Sequence, residues 1–105
     1  GNVINDGSIP NLPKDACVEI PVFADKDGIH KTIVGELPAH LAILVSTTAQ
    51  IENLVVCAAM TKSREDVYHA VMMDPLCSAV CSLQEIRDMC DLIFEKNTDY
   101  LGDYK

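Results

Sequence analysis

The sequence predicts an α+β fold, with an N-terminal extended segment and a β-hairpin packed on a bundle of three to four helices. Three observations carry this. Residues 16–24, ACVEIPVFA, alternate at period two and run into Asp27-Gly28, a strong hairpin-turn pair. Residues 38–62 hold one charge, Glu52, before Lys62 and no Gly or Pro after Pro38, with apolar residues at helical spacing. Ser63-Arg64-Glu65-Asp66 and Ser82-Leu83-Gln84-Glu85 are capping signatures that open two further helices.

Taken in order, residues 1–15 read as an extended loop. Asn5-Asp6-Gly7 tolerates a left-handed backbone, and Pro10 and Pro13 lack ladder donors, so this segment has to lie across something else. The hairpin spans 16–34. Val18, Ile20 and Val22 alternate against Cys17, Glu19 and Phe23, Pro21 places the strand at an edge or bulge, and Ile29–Val34 returns. In the central helix, 38–62, Pro38 suits the first turn. Leu41, Leu44, Val45, Ile51, Val55, Ala58 and Ala59 form one stripe, while Ile43, Leu54 and Cys57 occupy the other side, so this helix is expected in the middle of a core. Polar residues at its centre, Ser46 to Thr48, Gln50, Glu52 and Asn53, argue against a membrane span. The helix over 63–74 turns Val67, Ala70 and Val71 inward and ends at Asp74-Pro75. A short apolar turn of helix follows over 75–81. In the helix over 82–98, Leu83, Ile86, Cys90, Ile93 and Phe94 face in, and the tail beyond is expected to fray.

A chain of 105 residues makes one domain. Its 8 basic and 16 acidic residues, a net charge of −8, exclude a nucleic-acid surface and a polybasic membrane patch. With 49% hydrophobic residues it is not disordered. Five Cys, an odd number in apolar surroundings, point to buried reduced thiols and a cytoplasmic protein. Cys77 and Cys81 stand four apart, but a structural zinc site needs four ligands, so they read as small apolar residues. His30, His40 and His69 read as surface or structural residues. Tyr68 and His69 point about 100° apart on their helix, poor geometry for a base and its orienter.

The stretch Asn2-Val3-Ile4-Asn5-Asp6-Gly7-Ser8-Ile9-Pro10-Asn11-Leu12-Pro13, followed by Val18-Glu19-Ile20-Pro21, resembles the C-terminal region of glycoside hydrolase family 4. Gly28-Ile29-His30, Val34-Gly35-Glu36-Leu37-Pro38 and Met73-Asp74-Pro75-Leu76 follow in the family's order, so the resemblance runs from Asn2 to about Leu101. It leans toward the α-glucosidase, α-galactosidase and α-galacturonidase branch. The resemblance implies part of the C-terminal domain of a lactate/malate-dehydrogenase-like glycosidase that uses NAD and a divalent metal such as manganese. This family stands apart from two-carboxylate glycoside hydrolysis. Its route is oxidation at the sugar C3 by NAD, elimination at C1, then addition of water.

The family's dinucleotide-binding domain is absent. The five Gly, at 1, 7, 28, 35 and 102, cannot make G-x-G-x-x-G, and the family's metal-binding Cys and His lie upstream of the matched region. No residue here is therefore expected to be catalytic, to bind cofactor or to hold metal. The chain opens on Gly1 rather than Met and reads as a fragment, inactive alone. Its partners are expected to be the missing dinucleotide-binding domain and further copies in a homo-oligomer. Asn2 and Asn5 are the candidates to lie near substrate, because amides donate to and accept from sugar hydroxyls. Turn chemistry is the other account of both. The rival reading of the whole chain is a self-contained acidic protein-interaction module with no enzymatic activity.

Overall fold

The structure is a computed structural model that describes residues 1–105. Its elements are β1 (Asn2–Ile4), β2 (Cys17–Glu19), β3 (Val22–Asp25), β4 (Gly28–Lys31), α1 (Ala39–Thr61), α2 (Arg64–Met73), α3 (Pro75–Val80), α4 (Leu83–Lys96) and α5 (Thr98–Leu101). The α+β class is as the sequence predicts. Two compact units are present, Gly1–Gln50 and Ile51–Lys105, with the boundary inside α1.

In the first unit the strand expected over 16–24 is two strands. β2 pairs antiparallel with β1, setting Asn2 opposite Glu19 and Val3 opposite Val18. β3 pairs with β4, setting Phe23 opposite His30 and Ala24 opposite Ile29. Pro21 is the reason for the break. It has no N–H to give a ladder, and its carbonyl accepts from Thr32 Oγ1 at 2.7 Å instead. The expected loop over 1–15 therefore begins as a strand, which Gly1 extends by exchanging hydrogen bonds with Ile20 through its carbonyl and its ammonium. The returning strand stops at Lys31, short of Val34, because the Val34 and Gly35 N–H groups both donate to the Ser8 carbonyl. Ile9, Leu12, Ala16, Val18, Ile20, Ala42 and Ala49 form the core.

α1 departs from expectation in what it buries. Only Ala42, Ala49 and Ala58 are buried along it, while Leu41, Ile43, Leu44, Val45, Val55, Val56 and Met60 are exposed. The stripe read as a core face is thus largely bare within this chain. α1 ends in a Schellman turn, with Lys62 at φ 58° and the Ser63 N–H donating to the Ala58 carbonyl at 3.2 Å.

In the second unit Ser63 Oγ accepts from the Asp66 N–H and starts α2. Asp74 caps α3, with Pro75 at its first turn. Ser82 and Glu85 form a reciprocal capping box on α4. Tyr68, Ile86, Cys90 and Phe94 make the core. Leu83 and Ile93, expected inside, are exposed. The tail does not fray. The Tyr104 ring packs on Phe94 at 5.7 Å, the Lys105 N–H donates to the Lys62 carbonyl, and the Lys105 carbonyl accepts from the Arg64 N–H. A half-buried aromatic ring and two backbone bonds offset the entropy of ordering these last residues. Of the five Cys, none paired, only Cys90 is buried; Cys17 and Cys57 are exposed.

The caps generate two predictions. Ser82→Ala removes one half of the capping box and should cost about 1 kcal/mol in thermal or urea unfolding. The bond from the Ser82 N–H, then that from its hydroxyl, hold the Glu85 carboxyl below its ordinary value, and the Cys77 N–H does the same for Asp74. Both pKa values are depressed in the folded state, so their stabilisation is present above the ordinary carboxyl pKa and is lost as pH falls through the folded values. The melting temperature should therefore drop as pH falls below about 4. Glu85→Gln should make that dependence shallower.

Candidate functional site

The candidate residues lie in the N-terminal loop, which is built around Asn5. Its side chain is fully buried, at 0% exposure, and its amide faces four backbone groups. Nδ2 donates to the carbonyls of Ile9 at 2.9 Å, Leu12 at 3.3 Å and Pro13 at 3.0 Å. Oδ1 accepts from the Ile9 N–H at 2.7 Å. The Asn5 backbone adds a donated bond to the Ala16 carbonyl and an accepted bond from the Ser8 N–H, both at 2.8 Å. That second bond closes a tight turn in which Asp6 (φ 46°) and Gly7 (φ 90°) take left-handed conformations. With its amide occupied by backbone, Asn5 has no group to offer a sugar hydroxyl; its geometry is that of turn chemistry.

Asn2 is exposed on β1 opposite Glu19, so the two side chains project from the same face of the ladder. An amide beside a carboxylate offers one set of donors and several acceptors, a combination suited to hydroxyl groups. Lys31 Nζ braces this edge, donating to the Ile4 carbonyl at 3.1 Å and to Asp6 Oδ2 at 3.3 Å. The structure therefore separates the two asparagines, one exposed at the ladder edge and one inside the loop.

Sequence reasoning passed over Asn11. Its amide exchanges two hydrogen bonds with the Leu37 backbone, donating to the carbonyl at 2.7 Å and accepting from the N–H at 2.9 Å. This ties the loop to the residue before Pro38, whose carbonyl accepts the first α1 bonds from Leu41 and Ala42. The signal was present in the Asn-Leu-Pro run, but nothing local in that run names a partner 26 positions away.

The second unit carries a polar network. Asp91 Oδ1 accepts from the Tyr68 hydroxyl at 2.5 Å and from Arg64 Nη2 at 3.1 Å, while Arg87 bonds Glu65 at 2.9 Å and lies over the Tyr68 ring. His69 lies 3.5 Å from Glu65. The bond to Asp91, then burial, push the Tyr68 phenol above its ordinary pKa, so it stays a donor rather than a base. The bond to Asp74, then burial, raise the Cys77 thiol, and burial raises Cys90. Neither is an activated nucleophile. This network clamps α2 to α4.

No group of three or more His, Cys, Asp and Glu gathers where a metal ion could be held. Gly7, Gly28 and Gly35 take positive φ in separate turns and form no phosphate-binding loop.

Comparison with known proteins supplies the family. Residues 1–77 match the family 4 glycosyl hydrolase C-terminal domain. An alpha-galactosidase of Bacillus subtilis (strain 168) is 43% identical over 105 residues, which are 100% of this chain and 24% of that protein. The structure superposes with a TM-score of 0.86 and 31% identity on a 6-phospho-alpha-glucosidase from gut microorganisms solved with NAD and glucose-6-phosphate, covering 99% of this chain and 23% of that one. A second 6-phospho-alpha-glucosidase from gut microorganisms, solved with NAD and Mn2+, shares the fold at TM-score 0.83 and 24% identity, covering 95% and 22% of the two chains. The chain thus spans about a quarter of the length of the proteins it matches.

The loop geometry predicts opposite outcomes for the two asparagines. Asn5→Ala strands a buried N–H and three carbonyls and should cost at least about 3 kcal/mol in urea unfolding. Asn5→Asp should be no better, since it sets a carboxylate against carbonyl oxygens. Asn2→Ala should change stability by less than about 0.5 kcal/mol. By its sequence and by its fold, the chain belongs to the C-terminal domain family of the family 4 glycosyl hydrolases.

Proposed function

We propose that this chain is the C-terminal part of an enzyme that hydrolyses O-glycosidic bonds with NAD and a divalent metal, and that α-galactosides are its first substrates to test. The observation that carries this is the match of residues 1–77 to the family domain, joined to 43% identity with an alpha-galactosidase across the whole chain. The family's route of oxidation at C3, elimination and hydration then belongs to the longer protein. The dinucleotide and the metal, manganese by family resemblance, then belong to the part of that protein outside this segment, which matches 24% of the Bacillus subtilis relative.

This segment's share is to wall the site and to take part in assembly. Asn5 acts as the positioning residue of the loop, and Asn2 is the amide offered to a sugar hydroxyl. The exposed apolar side chains support association, both with the dinucleotide-binding domain and in a homo-oligomer. Five unpaired thiols support a reducing, cytoplasmic setting.

The test is to assay the longer protein on p-nitrophenyl glycosides, with and without a 6-phosphate, in the presence of NAD and Mn2+. Cleavage of the α-galactoside that stops when either NAD or the metal is withdrawn is the expected result. Asn2→Ala should raise KM several-fold without shifting the melting temperature. This 105-residue chain alone should show neither turnover nor NAD binding by calorimetry. Failure to cleave any glycoside with both cofactors supplied would remove the reading.

A further inference from the structure

We propose that the outward side of the first half of α1 is an internal seat, over which an apolar groove on the rest of the longer polypeptide closes. The inference rests on the proposed function, because it takes the chain as part of a longer family 4 enzyme.

Within the unit Gly1–Gln50, α1 turns its small residues in and its large ones out. Ala42 and Ala49 are 8% and 7% exposed, whereas Leu41, Ile43, Leu44 and Val45 are 41%, 70%, 62% and 41% exposed. A unit that stood alone in water would gain most by burying the large aliphatic side chains, so this arrangement is inverted for solvent. No Asp, Glu, Lys or Arg lies between Ala39 and Ile51, and two of the polar side chains there turn back onto the helix, Thr47 Oγ1 donating to the Ile43 carbonyl and Gln50 Nε2 to Ser46 Oγ.

The spread of the exposed side chains selects the occupant. Each residue advances about 100° around a helix, so Ile43, Leu44, Leu41 and Val45 occupy about 200° of the circumference. A helix from a second copy packs against one stripe of about 100° and would leave either Ile43 or Val45 in water. A groove that wraps the helix covers both. The Bacillus subtilis relative, of which this chain matches 24%, has ample further polypeptide to form one. α1 is also long and apolar enough, by length and composition, to cross a membrane, which makes lipid a distinct outcome of the test.

The test uses Ile43→Cys and Val45→Cys, placed near the two edges of the exposed arc, with maleimide labelling of each position followed by peptide mass mapping. Labelling is timed in this chain, diluted until monomeric, and in the longer protein. Both positions should label about tenfold more slowly, or slower still, in the longer protein, at every protein concentration. Hydrogen exchange over residues 41–46 of the unsubstituted proteins should show the same protection and covers the case of a variant that fails to fold. Equal rates in the two proteins would overturn the proposal. So would protection of one position only, protection that grows with concentration and so reports a second copy, or protection that requires phosphatidylcholine vesicles. An active glycosidase with both thiols open sinks this inference alone. An inactive protein with both thiols closed sinks the functional reading and leaves the closed groove to be explained by another parent.

Discussion

The buried amide of Asn5 is the contact on which the N-terminal unit depends. A loop with Pro10 and Pro13 cannot satisfy its own backbone in a ladder, and its carbonyls at Ile9, Leu12 and Pro13 point inward, away from water. One side chain supplies both hydrogens for these three acceptors and takes the Ile9 N–H in return. The Ser8 carbonyl is thereby set to accept from Val34 and Gly35, and Asn11 then reaches Leu37. Two amides so determine where the chain leaves the hairpin and where α1 begins. Without them Ile9 and Leu12 would have no fixed place over Val18 and Ile20, and the small core would lose its lid.

The second unit is held differently. Its core is one aromatic-centred cluster, Tyr68, Ile86, Cys90 and Phe94, with Arg64 stacked on Phe94 and Arg87 on Tyr68. Each guanidinium also has a carboxylate partner, Asp91 for Arg64 and Glu65 for Arg87. These are partly exposed pairs that contribute little individually, so packing of the rings carries most of the stability. Both units leave large apolar side chains in water, from Phe23 and Ile29 on the hairpin to Leu76 and Val80 on α3. Surfaces of that kind mark interaction sites. They agree with a segment that spans only part of its relatives' length.

The candidate site was legible in part. The Asn-rich run was visible, and it carried the family resemblance that the match over residues 1–77 bears out. Which asparagine faces solvent was not legible. Asn2 and Asn5 are the same residue type three positions apart, and only the pairing of β1 with β2 leaves one outside and folds the other in. The role of Asn11 was hidden for a similar reason, because its partner is fixed by the return of the chain and not by neighbouring residues.

What the sequence determined by itself is local. Ser63, Asp74 and Ser82 are caps because a short polar side chain before a helical run can reach a free N–H, and each start of α2, α3 and α4 falls where that chemistry puts it. Asp27-Gly28 makes the turn between β3 and β4 for the same local reason. The tertiary structure decided what each face meets. It split residues 16–24 at Pro21, since a strand is defined by its partners and the two halves have different ones. It folded Tyr104 back onto Phe94, and it turned the alanines of α1 inward while its leucines and valines faced out. Helical periodicity says that a face is apolar. Whether that face is covered depends on distant segments, which local periodicity does not name.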